Sequence, residues 1–128
     1  MSQGRILGGF IAFIGSFFIV FYAIIYLSST EVNLTNGGIN LTIGLLALIA
    51  SILGIASKKA GGKFALIIGL ISISFGIISF LAPALQGILL QYSWLWVQMN
   101  FNYLIFFAGI TLEAILISLG GLLIIISL

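Results

Sequence analysis

Six ionisable side chains of acid or base type are all that this 128-residue chain offers for ionic chemistry: Glu31, Glu113, Arg5, Lys58, Lys59 and Lys63. Histidine and cysteine are both absent. Their absence removes the usual ligand sets for zinc, haem and copper, together with thiol and disulfide chemistry. The two acids fall in different segments and no glycine loop of phosphate-binding spacing is present, so neither catalysis nor a bound cofactor is expected. One residue stands apart. Glu113 falls near the centre of a long apolar run, and an ionisable group at membrane depth marks a candidate functional site. No Lys or Arg matches it in depth, whereas Ser16, Ser72 and Ser74 do and are its candidate hydrogen-bond partners. Three roles fit such an acid: a structural hydrogen bond, a contact to a partner chain, or a proton- or cation-coupling site.

The elements that must position Glu113 follow from composition. The chain is 62% hydrophobic and 5% charged, whereas a soluble domain needs roughly a quarter of its residues charged. A bilayer removes the difficulty, because lipid-facing positions favour Leu, Ile and Phe. Four apolar runs, at 6–27, 39–57, 64–82 and 103–127, each supply about the 20 residues that cross a ~30 Å hydrocarbon core as helix. They are apolar on all sides, unlike the alternating strands of a barrel. The first run exceeds the roughly 7–15 residues of a signal-peptide core, which favours a retained anchor. The predicted fold is an all-α membrane protein, a single four-helix transmembrane bundle over residues 1–128.

Arg5 precedes the first run, and Lys58, Lys59 and Lys63 fill the turn between the second and third. The opposite connections, 28–38 and 83–102, contain no Lys or Arg. By the positive-inside rule both termini are then cytoplasmic, in a multi-pass protein of the cell membrane. A net charge of +2 with four scattered bases makes no footprint for nucleic acid.

Small residues recur at helical spacing: Gly8, Ala12 and Gly15; Gly44, Ala47, Ser51 and Gly54; Gly69, Ser72, Gly76 and Ser79; Ala108, Thr111, Ala114, Ser118 and Gly121. Such stripes let helix backbones approach closely where lipid gives no hydrophobic drive. Glu113 shares a second face with Gly109 and Gly120, nearly opposite Thr111 and Ser118. Two small-residue faces on the last helix suggest two neighbours, one of them outside the bundle. The energetics of insertion are permissive. An acid at the helix centre costs about 2.5–3.5 kcal/mol, and the fifteen Leu, Ile and Phe residues of 103–127 return on the order of 5–8 kcal/mol.

The 83–102 connection is long for a compact bundle, and it is rich in rings. Tyr92, Trp94, Trp96 and the adjacent Tyr103 predict an interfacial aromatic segment lying at head-group level, with a possible role in docking a partner. Two sequons, at Asn33 and Asn40, fall in the first outer connection. The leading expectation is a non-catalytic structural or accessory subunit of a larger membrane assembly, its partners being lipid and other membrane subunits or copies of itself. The alternative is a small oligomeric proton- or cation-coupled transporter or channel using Glu113. Loop cysteines of the claudin and tetraspanin kind are missing, and the first helix has no acid of the kind small multidrug transporters carry there. No family is assigned.

Overall fold

A computed structural model describes residues 2–29, 33–56, 59–100 and 108–127. Among them every regular element is helical: α1 (Ser2–Leu27), α2 (Leu34–Ile55), α3 (Lys59–Leu81), a 3₁₀ turn (Pro83–Leu85), α4 (Gln86–Leu89), α5 (Trp94–Gln98) and α6 (Leu112–Ser127). The first three long helices are apolar and long enough to cross a membrane, while α6 is apolar but shorter.

Capping chemistry sets several of the boundaries. The Asn33 side chain accepts the Asn36 N–H at 3.1 Å, so α2 begins five residues before the apolar run that predicts it at residue 39. An Asn at the N-cap satisfies one of the orphan amides of the first turn and outweighs the polarity of Thr35 and Asn36. At the other boundary, Pro83 ends α3 by forcing Ala82 out of helical geometry and opening the 3₁₀ turn. Hydroxyls inside the helices bond back to their own backbone, as Ser16 to Ala12 O (2.7 Å), Thr42 to Gly38 O (2.7 Å) and Ser74 to Leu70 O (2.9 Å). That local bond lets Thr42 and Ser74 tolerate an apolar surrounding.

The long helices pack as a ring in which α1 touches α2 and α6, and α3 touches α2 and α6. Neighbours run antiparallel: Gly9 meets Ile55 while Gly37 meets Leu27, and Gly8 meets Gly120 while Gly15 meets Glu113. A Cβ on Gly8 would stand 2.6 Å from the Gly120 carbonyl oxygen, so backbone contact itself closes the α1–α6 seam. The stripe residues Gly44, Ser51, Gly54, Gly69, Ser72, Gly76, Ser79, Ala114, Gly120 and Gly121 are all buried, and Ser118 is half-buried against Gly69. Leu7, Phe10, Ile14, Phe17, Ile49, Ile67 and Leu119 point outward, as residues facing hydrocarbon do.

The last apolar run departs from the predicted 103–127 helix. Its described part is helical only from Leu112; residues 103–107, and with them Tyr103, lie outside the described residues. Ala108 and Gly109 adopt φ of 52° and 84°, in the left-handed region. Thr111 then accepts the Ala114 N–H at 3.1 Å through its hydroxyl, as an N-cap does. Gly109 takes this conformation without the Cβ penalty and places its carbonyl against Gly76. With 16 residues, α6 spans about 24 Å and starts opposite the middle of α1, where Gly15 faces the Glu113 backbone. Glu113 therefore sits at mid-depth, as its sequence position suggests, but in the first turn of a helix and not at a helix centre.

A candidate functional site built around a re-entrant segment

The space left above the start of α6 is filled by the connection that follows α3. The short α4 stays at the surface, but residues 90–96 do not lie there as an interfacial helix would; they descend into the bundle, contrary to the expectation for this aromatic segment. Rings mark the descent along α1. Tyr92 stacks on Tyr22 (5.4 Å between centroids, 4° between planes) and leans on Tyr26, and Trp94 stacks on Phe18 (4.8 Å, 7°) nearer the middle. Here the aromatic residues are internal packing, with Trp96 only 6% exposed.

Irregular backbone at this depth is tolerated only where protein satisfies its polar groups. Each surrounding element contributes. From α2, Asn36 Nδ2 donates to Ile88 O (2.7 Å) and Leu90 O (3.0 Å), and Asn40 Nδ2 donates to Leu90 O (3.0 Å). From α3, the Ser72 hydroxyl donates to Gln91 Oε1 (2.8 Å), while Gln91 Nε2 donates to Leu89 O (3.1 Å). From α6, Glu113 receives the Ser93 hydroxyl on Oε1 (2.6 Å) and the Leu95 N–H on Oε2 (3.1 Å). Ser93 in turn caps α5 by accepting the Trp96 N–H (3.1 Å), and the Trp96 indole donates to Ile110 O (2.9 Å). Asn36, Asn40, Ser72, Gln91, Ser93, Thr111 and Glu113 are all buried. Together they form a polar layer that lines the descending segment from the start of α2 to the start of α6.

Both oxygens of Glu113 act as acceptors, and its position in the first turn of α6 sets it beside that helix's unpaired amides, where an acidic group is favoured. The three serines at matching depth make other bonds: Ser16 returns to Ala12 O and Phe13 O, Ser74 to Leu70 O, and Ser72 reaches Gln91. The partners of Glu113 are instead Ser93 and Leu95. The second small-residue face of α6 is also accounted for within the chain, because α1 fills it through Gly8, Ala12 and Gly15 against Gly120 and Glu113. This face is covered by α1 and is not open to a second neighbour outside the bundle.

Two further sequence motifs take structural roles. Asn33 Nδ2, the atom a glycan would occupy, donates to Gly87 O at 2.7 Å and ties α2 to α4. Asn40 is 2% exposed and its amide is committed to the re-entrant backbone. At the opposite end of the bundle, the Arg5 guanidinium donates to Ile55 O, and Lys59 and Lys63 are exposed on the first turns of α3; Lys58 lies outside the described residues. The sequence carried traces of the polar layer: Asn36 and Asn40 share one helix face, and Gln91 and Ser93 interrupt a run of apolar and aromatic residues. Comparison with protein-family models, with curated proteins and with solved structures gives no match.

Proposed function

We propose that the chain is a multi-pass integral protein of the cell membrane that serves as a non-catalytic structural or accessory subunit of a larger membrane assembly. In this reading it makes four crossings with both termini in the cytoplasm, the fourth being the one that α6 completes. The observation that carries it is that both carboxyl oxygens of Glu113 are engaged within the chain. Its two oxygens are bonded to Ser93 and Leu95 of the same chain, and its helix face is packed by α1. An acid so engaged ties the segment of residues 93–95 to the start of α6 and so holds a structure together. The connections 28–33 and 56–58 are short, so the chain meets its partners chiefly within the bilayer, where packed helices and exposed apolar faces are its means of contact.

One observation favours a second reading, a small proton- or cation-coupled transporter or channel. Glu113 stands at mid-depth in the first turn of a helix, and helix ends at the midplane recur in transporter sites. Isolation in mild detergent separates the two. Co-isolation of different membrane chains at fixed stoichiometry supports the subunit reading. A pure homo-oligomer that conducts protons into liposomes, and loses that flux in Glu113→Gln, sinks it.

A further inference from the structure

At the basic end of the bundle, side chains of α1 and α2 border a groove of about 350 Å³ lined by Phe10, Phe13, Ile52, Ile55 and Ala56. Its walls are wholly apolar side chains and one alanine, so along its length it matches hydrocarbon. Its mouth is different. Ile55, which forms part of the wall, also gives its carbonyl to the Arg5 guanidinium, which fixes that cation at the rim. A guanidinium has five N–H donors in a planar fork, and one carbonyl leaves others unused. Lys59, four positions after Ile55, and Lys63 add exposed positive charge at the same end. Among the described residues no acidic side chain answers them, since Glu113 is held at mid-depth.

We propose that this groove and its rim form a binding site for an anionic phospholipid, with one acyl chain between Phe10, Phe13 and Ile52 and the headgroup phosphate on Arg5, supported by Lys59. The charge pattern selects the occupant. A second protein helix would match the apolar walls but leave Arg5 and Lys59 without a counter-charge, whereas a phospholipid supplies tail and phosphate in the right order along the groove. The guanidinium fork suits phosphate bidentately, and each cation near an anionic headgroup adds about fivefold in affinity. The proposal rests on bilayer residence but not on the subunit reading, because lipid retention and co-isolation of partner chains are separate readouts.

The test is native mass spectrometry of the delipidated full chain titrated with phosphatidylglycerol and, separately, phosphatidylcholine. The expected result is at least about fivefold stronger retention of phosphatidylglycerol. Arg5→Gln should weaken retention of phosphatidylglycerol about fivefold. Ala56→Trp, at an exposed position, should fill the groove and weaken both lipids. Should Arg5→Gln fail to fold, as judged by circular dichroism and gel filtration, the exposed pair Lys59→Gln and Lys63→Gln carries the same test, with a severalfold loss expected for phosphatidylglycerol alone. Equal retention of both lipids by the unaltered chain overturns the proposal. So does an unchanged preference in the folded rim variants, or complete displacement of phosphatidylglycerol by inorganic phosphate, which would leave no part for the groove.

Discussion

Replacing Glu113 by alanine should release α5 from the bundle while α1, α2 and α3 stay packed. The substitution removes two hydrogen bonds, from the Ser93 hydroxyl at 2.6 Å and the Leu95 N–H at 3.1 Å. The amide is the larger loss, because a buried backbone N–H without a partner costs about 1–3 kcal/mol. The vacated volume adds a cavity term, since Glu113 is 0% exposed, and the total comes to about 2–4 kcal/mol. Glu113→Gln should cost much less, about 1 kcal/mol, because its carbonyl still receives Leu95 N–H and the Ser93 hydroxyl can turn to accept from the new amide. Side-chain hydrogen bonds within membrane bundles average only about 0.6 kcal/mol and reach about 1.7, so a Ser93→Ala and Glu113→Ala cycle should couple within that range. The assay is built into the molecule. Its two tryptophans are Trp94 and Trp96, both in α5, so intrinsic emission reports this segment and far-ultraviolet dichroism the remaining helices. Glu113→Ala should shift emission to the red with little loss of helicity. The reasoning fails if emission is unchanged, or if glutamine is as damaging as alanine.

Other seams give contrasting outcomes in detergent or bicelle unfolding. Gly8→Ala should lose about 1–3 kcal/mol by pushing α1 off the Gly120 carbonyl, whereas Gly38→Ala, with nothing within 4 Å of the new methyl, should gain about 0.5–1 kcal/mol. Ser118 has a buried hydroxyl with no partner, so Ser118→Ala should be neutral or stabilising by up to about 1 kcal/mol. Asn33→Ala should lose about 1 kcal/mol with the cap on α2. In a host that glycosylates exported loops, glycosidase treatment should leave the mass of the chain unchanged, because the amides of Asn33 and Asn40 are both engaged.

Much of the architecture is legible in the chain, and the exceptions have physical causes. Hydropathy and small-residue spacing reveal α1, α2 and α3 because a lipid-facing helix must be apolar throughout and approach its neighbours through Gly, Ala and Ser. The same measure cannot see where a helix begins inside an apolar run. At α6 that start is set by the left-handed Ala108–Gly109 step and the Thr111 hydroxyl, neither of which alters hydropathy. The partners of Glu113 are equally hidden from local reading, since Ser93 and Leu95 lie 20 and 18 positions upstream. Depth matching finds serines at the right level but not their commitments. Ser16 and Ser74 bond their own helices, and Ser72 is taken by Gln91. The aromatic connection has the composition of an interfacial helix. What distinguishes it is the facing pair Asn36 and Asn40, whose amides reach the Leu90 carbonyl of the inward-folded backbone, Asn40 bonding Asn36 O of its own helix as well.

The central claim is that the chain turns back into its own bundle and closes on Glu113. Because the sequence contains no cysteine, single cysteines can be placed without background, and accessibility to a membrane-impermeant maleimide tests the claim most directly. Cysteine at Ser93, which is 1% exposed, should remain unlabelled from both sides of sealed vesicles, while cysteine at Ser28, exposed just past the end of α1, should label. Labelling at 93 as rapid as at 28 would place the segment on the surface and contradict the account.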